Sequence, residues 1–187
     1  MTFRIVILAS GSGTLTQAII NAHEASRLPI EIAAVISDKQ SEVLARAIRH
    51  NIPAFHLPVT GDRSAWDSKL FSMVDELQPD LVVSAGFMRI LAPDFVTRFR
   101  CINSHPSLLP LFPGAHAVRD ALAAHVSETG CTVHWIDSGV DTGPIIAQVT
   151  VPINLGDTEE VVHERIKIAE RALIVEIIAT LAGEEKV

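Results

Sequence analysis

Residues 3–85 alternate between two kinds of segment, and this alternation constrains the fold more than any other feature of the chain. Short apolar runs rich in β-branched residues occur at Phe3–Ala9 (FRIVILA), Ile30–Ser37 (IEIAAVIS), Ala54–Leu57 and Leu81–Ala85 (LVVSA). Between them, apolar residues recur at helical spacing: Leu15, Ala18, Ile19 and Ala22; then Val43, Leu44, Ala47 and Ile48 within Ser41–His50; then Trp66, Leu70, Phe71, Val74 and Leu77 within Arg63–Leu77. Continuous β-branched runs suit strands buried on both faces, and the 3.6-residue period suits helices packed on them. The βαβαβαβ rhythm predicts an α/β fold with an open, twisted, mostly parallel sheet, helices on both faces, and right-handed crossovers.

The second half reads differently. Cys101–Asn103 ends a strand, and the segment after it, Asn103–His116 (NSHPSLLPLFPGAH), carries Pro106, Pro110 and Pro113, which forbid a helix and disfavour a central strand. Ala117–His125 reads as a helix, and Thr132–Ile136 and Ile145–Val151 as two strands around a Gly/Asp loop. Asp157 opens the longest helix, with Glu160 three residues on as a capping box; Val161, Val162, Ile166, Ala169, Leu173, Ile177 and Leu181 form its buried stripe. Ligands of open α/β sheets sit beyond the carboxyl ends of the strands. Three loops are therefore expected to meet there: the Gly-rich turn after the first strand, the Pro-rich loop and the Gly/Asp loop.

Composition removes several classes. With 187 residues, 48% of them hydrophobic, the chain can bury a sizeable core as one domain. Its 15 basic against 22 acidic residues, net −7, argue against non-specific nucleic-acid binding, yet a phosphate ester needs only a local nest of N–H groups. Two cysteines, Cys101 and Cys131, are too few for a disulfide framework and fit a reducing compartment. No export signal or membrane-spanning run is read, so a cytoplasmic protein is expected.

Four constellations carry chemistry. Ser10-Gly11-Ser12-Gly13-Thr14 follows the first strand, where glycines and a helix N-terminus favour a phosphate; Thr16 stands where a dinucleotide fingerprint needs glycine, and Asp38 is only roughly placed for a ribose, so a mononucleotide or sugar phosphate is preferred. A ligand-free tight turn is the plain alternative. In Asn103-Ser104-His105-Pro106-Ser107, Pro106 holds His105 extended, and alternation puts Asn103 and His105 on one side. An amide and an imidazole facing one spot suit a carbonyl turning tetrahedral, and Leu108, Leu109, Leu111 and Phe112 should cover that spot. A loop histidine alone is more often merely solvated. The third is Asp137-Ser138-Gly139-Val140-Asp141-Thr142-Gly143-Pro144, whose Asp141 against His105 would fix the ring and raise its pKa; an ordinary turn is the alternative. The fourth, Lys167 and Glu170 with His163 and Arg171, reads as a solvated helix face. No metal site is expected: Cys131 and His134, three apart in a strand, point to opposite faces, and no HExxH or CxxC is present. A serine nucleophile has no G-x-S-x-G elbow.

Taken together, the opening Gly-x-Gly turn, Ser84-Ala-Gly-Phe-Met-Arg-Ile-Leu91, Asn103-Ser-His-Pro-Ser-Leu-Leu-Pro110, Pro113-Gly-Ala-His116, Asp141-Thr-Gly-Pro144 and the Lys167/Glu170 helix make the whole chain resemble the phosphoribosylglycinamide formyltransferases (glycinamide ribonucleotide transformylases). The resemblance implies a single formyltransferase domain over 1–187, with a Rossmann-like, phosphate-binding half over about 1–100 and a catalytic, folate-binding half over about 101–187. It implies formyl transfer from 10-formyltetrahydrofolate to 5-phosphoribosyl glycinamide in purine biosynthesis, with Asn103, His105 and Asp141 as the catalytic trio. Gly11, Ser12, Gly13, Thr14, Leu15, Lys167 and Glu170 would hold the ribonucleotide. Arg63, Met88, Arg89, Ile90, Leu91, Ile136, Asp137, Ser138, Gly139 and Val140 would hold the folate, and His116 and His134 match further site positions. Departures are Leu15 and Thr16, with Leu15 where the family often has Asn, and Ser104 where Ile is common. The implied partners are small molecules, with no nucleic acid, no membrane and no tightly bound cofactor beyond the folate co-substrate; a homodimer is left open. Rivals are a formyltetrahydrofolate hydrolase, disfavoured because the first strand already begins at Phe3 and leaves no room for a regulatory domain before it, and a methionyl-tRNA formyltransferase, disfavoured by the acidic chain stopping at Val187. A non-catalytic nucleotide sensor is disfavoured by the intact trio.

Overall fold

The computed structural model describes residues 2–184. Its elements run β1 (Phe3–Ala9), α1 (Thr14–Glu24), β2 (Ile30–Ser37), α2 (Glu42–Arg49), β3 (Ala54–His56), α3 (Arg63–Leu77), β4 (Leu81–Ser84), α4 (Pro93–Arg98), β5 (Cys101–His105), α5 (Ala117–Ala123), β6 (Glu128–Trp135), β7 (Ile145–Pro152) and α6 (Glu159–Glu184). The strands form one seven-stranded sheet ordered β3-β2-β1-β4-β5-β6-β7, parallel from β3 to β5 and antiparallel at β6 and β7. The α/β expectation holds. Strand order reverses between β1 and β4, the switch point where open sheets offer a crevice.

β1 lies central because, Arg4 aside, its side chains are buried on both faces, as a strand between two helix layers requires. Phe3, Ile5 and Ile7 join the layer made with α1, α2, α5 and α6. Val6 and Leu8 join the opposite layer, built from Trp66, Leu70 and Val74 of α3, Phe95 of α4, and Phe99 just after it. Each such aliphatic side chain fully removed from water contributes about 1.5–3 kcal/mol. Along β5 and β6 this second face changes character. Asn103, His105, Thr132 and His134 stand on it, beneath loops rather than helices.

Three local expectations need correction. α6 begins at Glu159, and the residue before it caps the helix: Thr158 Oγ1 accepts from the Val161 N–H at 3.4 Å. Asp157 is instead held by the Asn154 N–H and by Arg165, each at 2.7 Å, because a guanidinium outcompetes a backbone donor for a carboxylate. Val161 is exposed, so the buried stripe starts at Val162. β5 continues to His105, whose partner is Thr132, since the lost N–H of proline is first felt at Pro106. α4, six residues opened by Pro93, was too short to show a period in sequence. Among the described residues no helix is long and apolar enough to cross a membrane.

Candidate active site

A cavity of about 340 Å³ opens on the second face, lined by residues 84–91 except Ala85, by 103–106, by Gly114 and Ala115, and by His134 with much of 136–141. The loop over it is tied down through its own backbone. Thr132 Oγ1 donates to the Ser107 carbonyl at 2.7 Å and accepts from the Leu109 N–H at 3.1 Å, while the Gln148 amide donates to the Leu109 carbonyl at 2.8 Å. The Leu109–Pro110 bond is cis. Leu109 is buried under this loop and Leu111 is exposed, so the apolar cover is narrower than four residues. The Gly/Asp loop does not sit beyond a carboxyl strand end shared with β5. Because β6 is antiparallel, it exits level with the start of β5, where the Ile136 N–H donates to the Cys101 carbonyl, and the loop then folds back across the sheet face.

That return brings Asp141 to the two β5 side chains. Asp141 Oδ2 lies 3.3 Å from His105 Nδ1 and accepts from the Gly114 N–H at 2.8 Å. Its Oδ1 lies 3.5 Å from both Asn103 Nδ2 and His134 Nε2. His105 Nε2–H donates to the Phe112 carbonyl at 2.9 Å. Both nitrogens of the His105 ring therefore face oxygens, which fixes the orientation of the ring. Phe112 and Asp141 adopt φ of 54° and 55°, conformations that a non-glycine residue keeps only where its surroundings enforce them. Burial by itself would raise the Asp141 carboxyl. The hydrogen bonds from His134 and the Gly114 N–H, with the charges of His105 and His134, outweigh it and hold the group below the usual carboxylate range. Asp137 is held low chiefly by the Thr142 hydroxyl and the Gly139 N–H, which shape the start of the same loop.

Residues 3–178 match the family model described as formyl transferase. The chain belongs to this family. It is 47% identical over 183 residues to the phosphoribosylglycinamide formyltransferase of Mycobacterium tuberculosis (strain ATCC 25618 / H37Rv), across 96% of this chain and 85% of that relative. To the phosphoribosylglycinamide formyltransferase of Escherichia coli (strain K12) it is 39% identical over 183 residues, across 95% and 86%. The crystal structure of glycinamide ribonucleotide transformylase 1 from Symbiobacterium toebii superposes with a TM-score of 0.95 at 41% identity, covering 98% of this chain and 89% of that one.

Within this formyl transferase the cavity gathers Asn103, His105, Asp141, His134, Met88, Arg89, Ile90, Leu91, Ile136, Asp137, Gly139 and Val140. It does not include Ser138 or Arg63; the Arg63 guanidinium instead donates to the Ile90 carbonyl and lies over Trp66. The Gly11–Leu15 turn also lies outside the lining. It reaches the cavity wall through Ser10, whose N–H donates to the Gly86 carbonyl at 3.2 Å and whose hydroxyl accepts from the Met88 N–H at 2.9 Å. Leu15 packs against the core, and Arg46 Nε donates to the Ser12 carbonyl at 2.8 Å. Asp38 is no ribose ligand here. It is buried and held by Ser10 Oγ at 2.5 Å and Arg89 Nε at 2.7 Å, a strut from the Gly-rich turn to the cavity wall. His116 is exposed, just before α5. Lys167 and Glu170 face the other side of β5. There Glu170 accepts from Ser104 Oγ at 2.7 Å, so it is not a freely solvated residue; burial raises its carboxyl, opposed by Ser104, Lys167 and Arg171. Sequence reasoning passed over Ser84, Phe87, Gly114 and Ala115 as lining. Ser84 was detectable, because it ends a buried strand with a hydroxyl in place of an apolar side chain.

Proposed function

We propose that the chain transfers a formyl group from 10-formyltetrahydrofolate to the amine of 5-phosphoribosyl glycinamide, a step of purine biosynthesis. The observation that carries this reading is the convergence of Asn103, His105 and Asp141 on one wall of the 340 Å³ cavity in a chain of this family. The amine nitrogen attacks the formyl carbon as the carbonyl electron pair moves to oxygen. The Asn103 amide and His105 donate to that oxyanion. Collapse re-forms the carbonyl and breaks the bond to the folate nitrogen, which takes up the proton that the attacking nitrogen releases. Asp141 orients His105 and relays this proton through water. Proximity supplies much of the rate, and one oxyanion donor is typically worth about 3–4 kcal/mol. For His105 to donate, Phe112 must yield Nε2, so the stretch around Phe112, beyond the anchored Ser107 and Leu109, shifts as substrate binds; the positive φ at Phe112 favours that release.

In this reading Gly11, Ser12, Gly13, Thr14 and Leu15 receive the phosphate through backbone N–H groups, and Lys167 and Glu170 hold the ribonucleotide. Met88–Leu91 and residues 136–140 hold the folate, with Arg63 supporting Ile90 from outside. The first hundred or so residues supply the phosphate end, while the cavity draws on both halves. The folate is a co-substrate, and the partners are small molecules. A cytoplasmic setting accords with two cysteines, both buried and free. The test is incubation with each substrate alone and with both. Formylated glycinamide ribonucleotide appearing only when both are present supports transfer, whereas formate release without the amine acceptor overturns it in favour of hydrolysis.

A further inference from the structure

Asn103 can serve an oxyanion only if its NH2, and not its carbonyl, faces the cavity. An amide is nearly symmetric in shape, so packing alone does not choose between the two orientations, and the choice must come from hydrogen bonds. On one side of Asn103 stand Asp141 Oδ1 at 3.5 Å and His134 Nε2 at 3.3 Å from Nδ2. The His134 Nδ1–H donates to the Trp135 carbonyl at 2.8 Å, which fixes the ring beside Asn103, and the Asp141 carboxylate oxygen can only accept. The carboxylate on that side therefore calls for N–H from Asn103. On the other side the Ser84 hydroxyl donates to Asn103 Oδ1 at 2.8 Å.

Ser84 and Asn103 are register partners in the parallel β4–β5 pair, so their side chains leave the same face of the sheet as neighbours. Ser84 is 4% exposed at the end of β4. From this geometry we infer that Ser84 is a positioning residue for the reaction: its hydroxyl anchors the Asn103 amide on the side away from the cavity, while the acceptor-only Asp141 carboxylate selects which end faces it, and together they keep the NH2 aimed at the reacting oxygen. The inference rests on the role given to Asn103 above. Without the hydroxyl, Oδ1 of the correct orientation is buried unpaired. That is an added cost to the anchored amide, and one pulled off line from the reacting oxygen gains population.

The test is steady-state kinetics of formyl transfer for four variants: Ser84→Ala, Ser84→Thr, Asn103→Ala and the double variant Ser84→Ala/Asn103→Ala. The expected result is a roughly tenfold fall in kcat for Ser84→Ala, equal to about 1.4 kcal/mol of transition-state stabilisation, with KM for both substrates and the melting temperature close to wild type. Ser84→Thr, which keeps the hydroxyl, recovers most of the loss. In the Asn103→Ala background Ser84→Ala changes nothing further, because there is no amide left to orient. Wild-type kcat in Ser84→Ala beside an impaired Asn103→Ala would overturn the inference alone. So would a tenfold loss that persists in the Asn103→Ala background, which would mark Ser84 as structural. An Asn103→Ala enzyme with undiminished kcat would instead remove the proposed role of Asn103 itself, and the inference with it.

Discussion

Replacing Asp141 by Asn keeps the shape of the side chain and removes its charge, which makes it the sharpest probe of the site. Each orientation of the new amide breaks something. With its oxygen toward Gly114 it keeps that N–H, but its NH2 then opposes the Asn103 NH2 across the 3.5 Å gap. Turned over, it places NH2 against the Gly114 N–H and His105. More important, the carboxylate that faces His105 Nδ1 at 3.3 Å no longer balances charge on the ring. Opposite unit charges near 4 Å interact by about 4 kcal/mol at the effective dielectric of a protein surface. Partial solvent access at Asp141 trims this to on the order of 3 kcal/mol, so kcat should fall on the order of 10²-fold. KM for either substrate should change little, since the carboxylate acts on the ring rather than on the ground-state ligands. Formyl transfer followed by product absorbance reads both constants. A variant turning over within about threefold of wild type would refute the coupling of Asp141 to His105. The same group has a stability signature. Its folded carboxyl lies below the ordinary 3.8, so its contribution is fully present above that value and is lost as pH falls through the lower, folded one. Urea unfolding of Asp141→Asn on both sides of 3.8 should show a shallower acid loss than wild type.

Three further substitutions probe the surroundings. Gly13→Ala asks a Cβ to sit at φ 74° and 2.4 Å from Val43 Cγ2, so urea unfolding should register a loss of about 2 kcal/mol or more; an unchanged midpoint would refute the close approach of the turn to α2. Asp38→Ala strips the partner from Arg89 and Ser10, and, with Arg89 partly solvated, should cost about 2 kcal/mol and raise the folate KM; normal values of both would show that the strut is idle. Glu170→Gln removes a carboxyl raised by burial. Such a group adds stability below its ordinary 4.5 and loses it as pH rises through the folded value, so the variant should gain on wild type with rising pH, and a pH-independent difference in melting temperature would reject burial as the cause.

Much of the fold was readable because the signals are local. The strand runs and helical periods of residues 3–85 reappear as β1 to β4 with their helices, and alternation along an extended chain did put Asn103 and His105 on one face. The same alternation sends Ser104 to the opposite face, where α6 offers Glu170 as its partner, so a helix that looked merely solvated has a buried tie to β5. Boundaries shifted where a competing charge intervened, as when Arg165 drew Asp157 away from capping α6.

Residue order along the chain specifies periodicity, backbone permissions such as the left-handed turn at Gly13, and which neighbours share a face, because each depends on a few adjoining bonds. It cannot specify which distant groups become neighbours. That Asp141 comes back across the sheet to His105, that Asp38 spends its charge on Arg89, and that Ser84 lies beside Asn103 follow from strand order and from the antiparallel turn of β6. Those depend on which surfaces the whole molecule can bury at once, a property of the packed sheet that no short stretch carries.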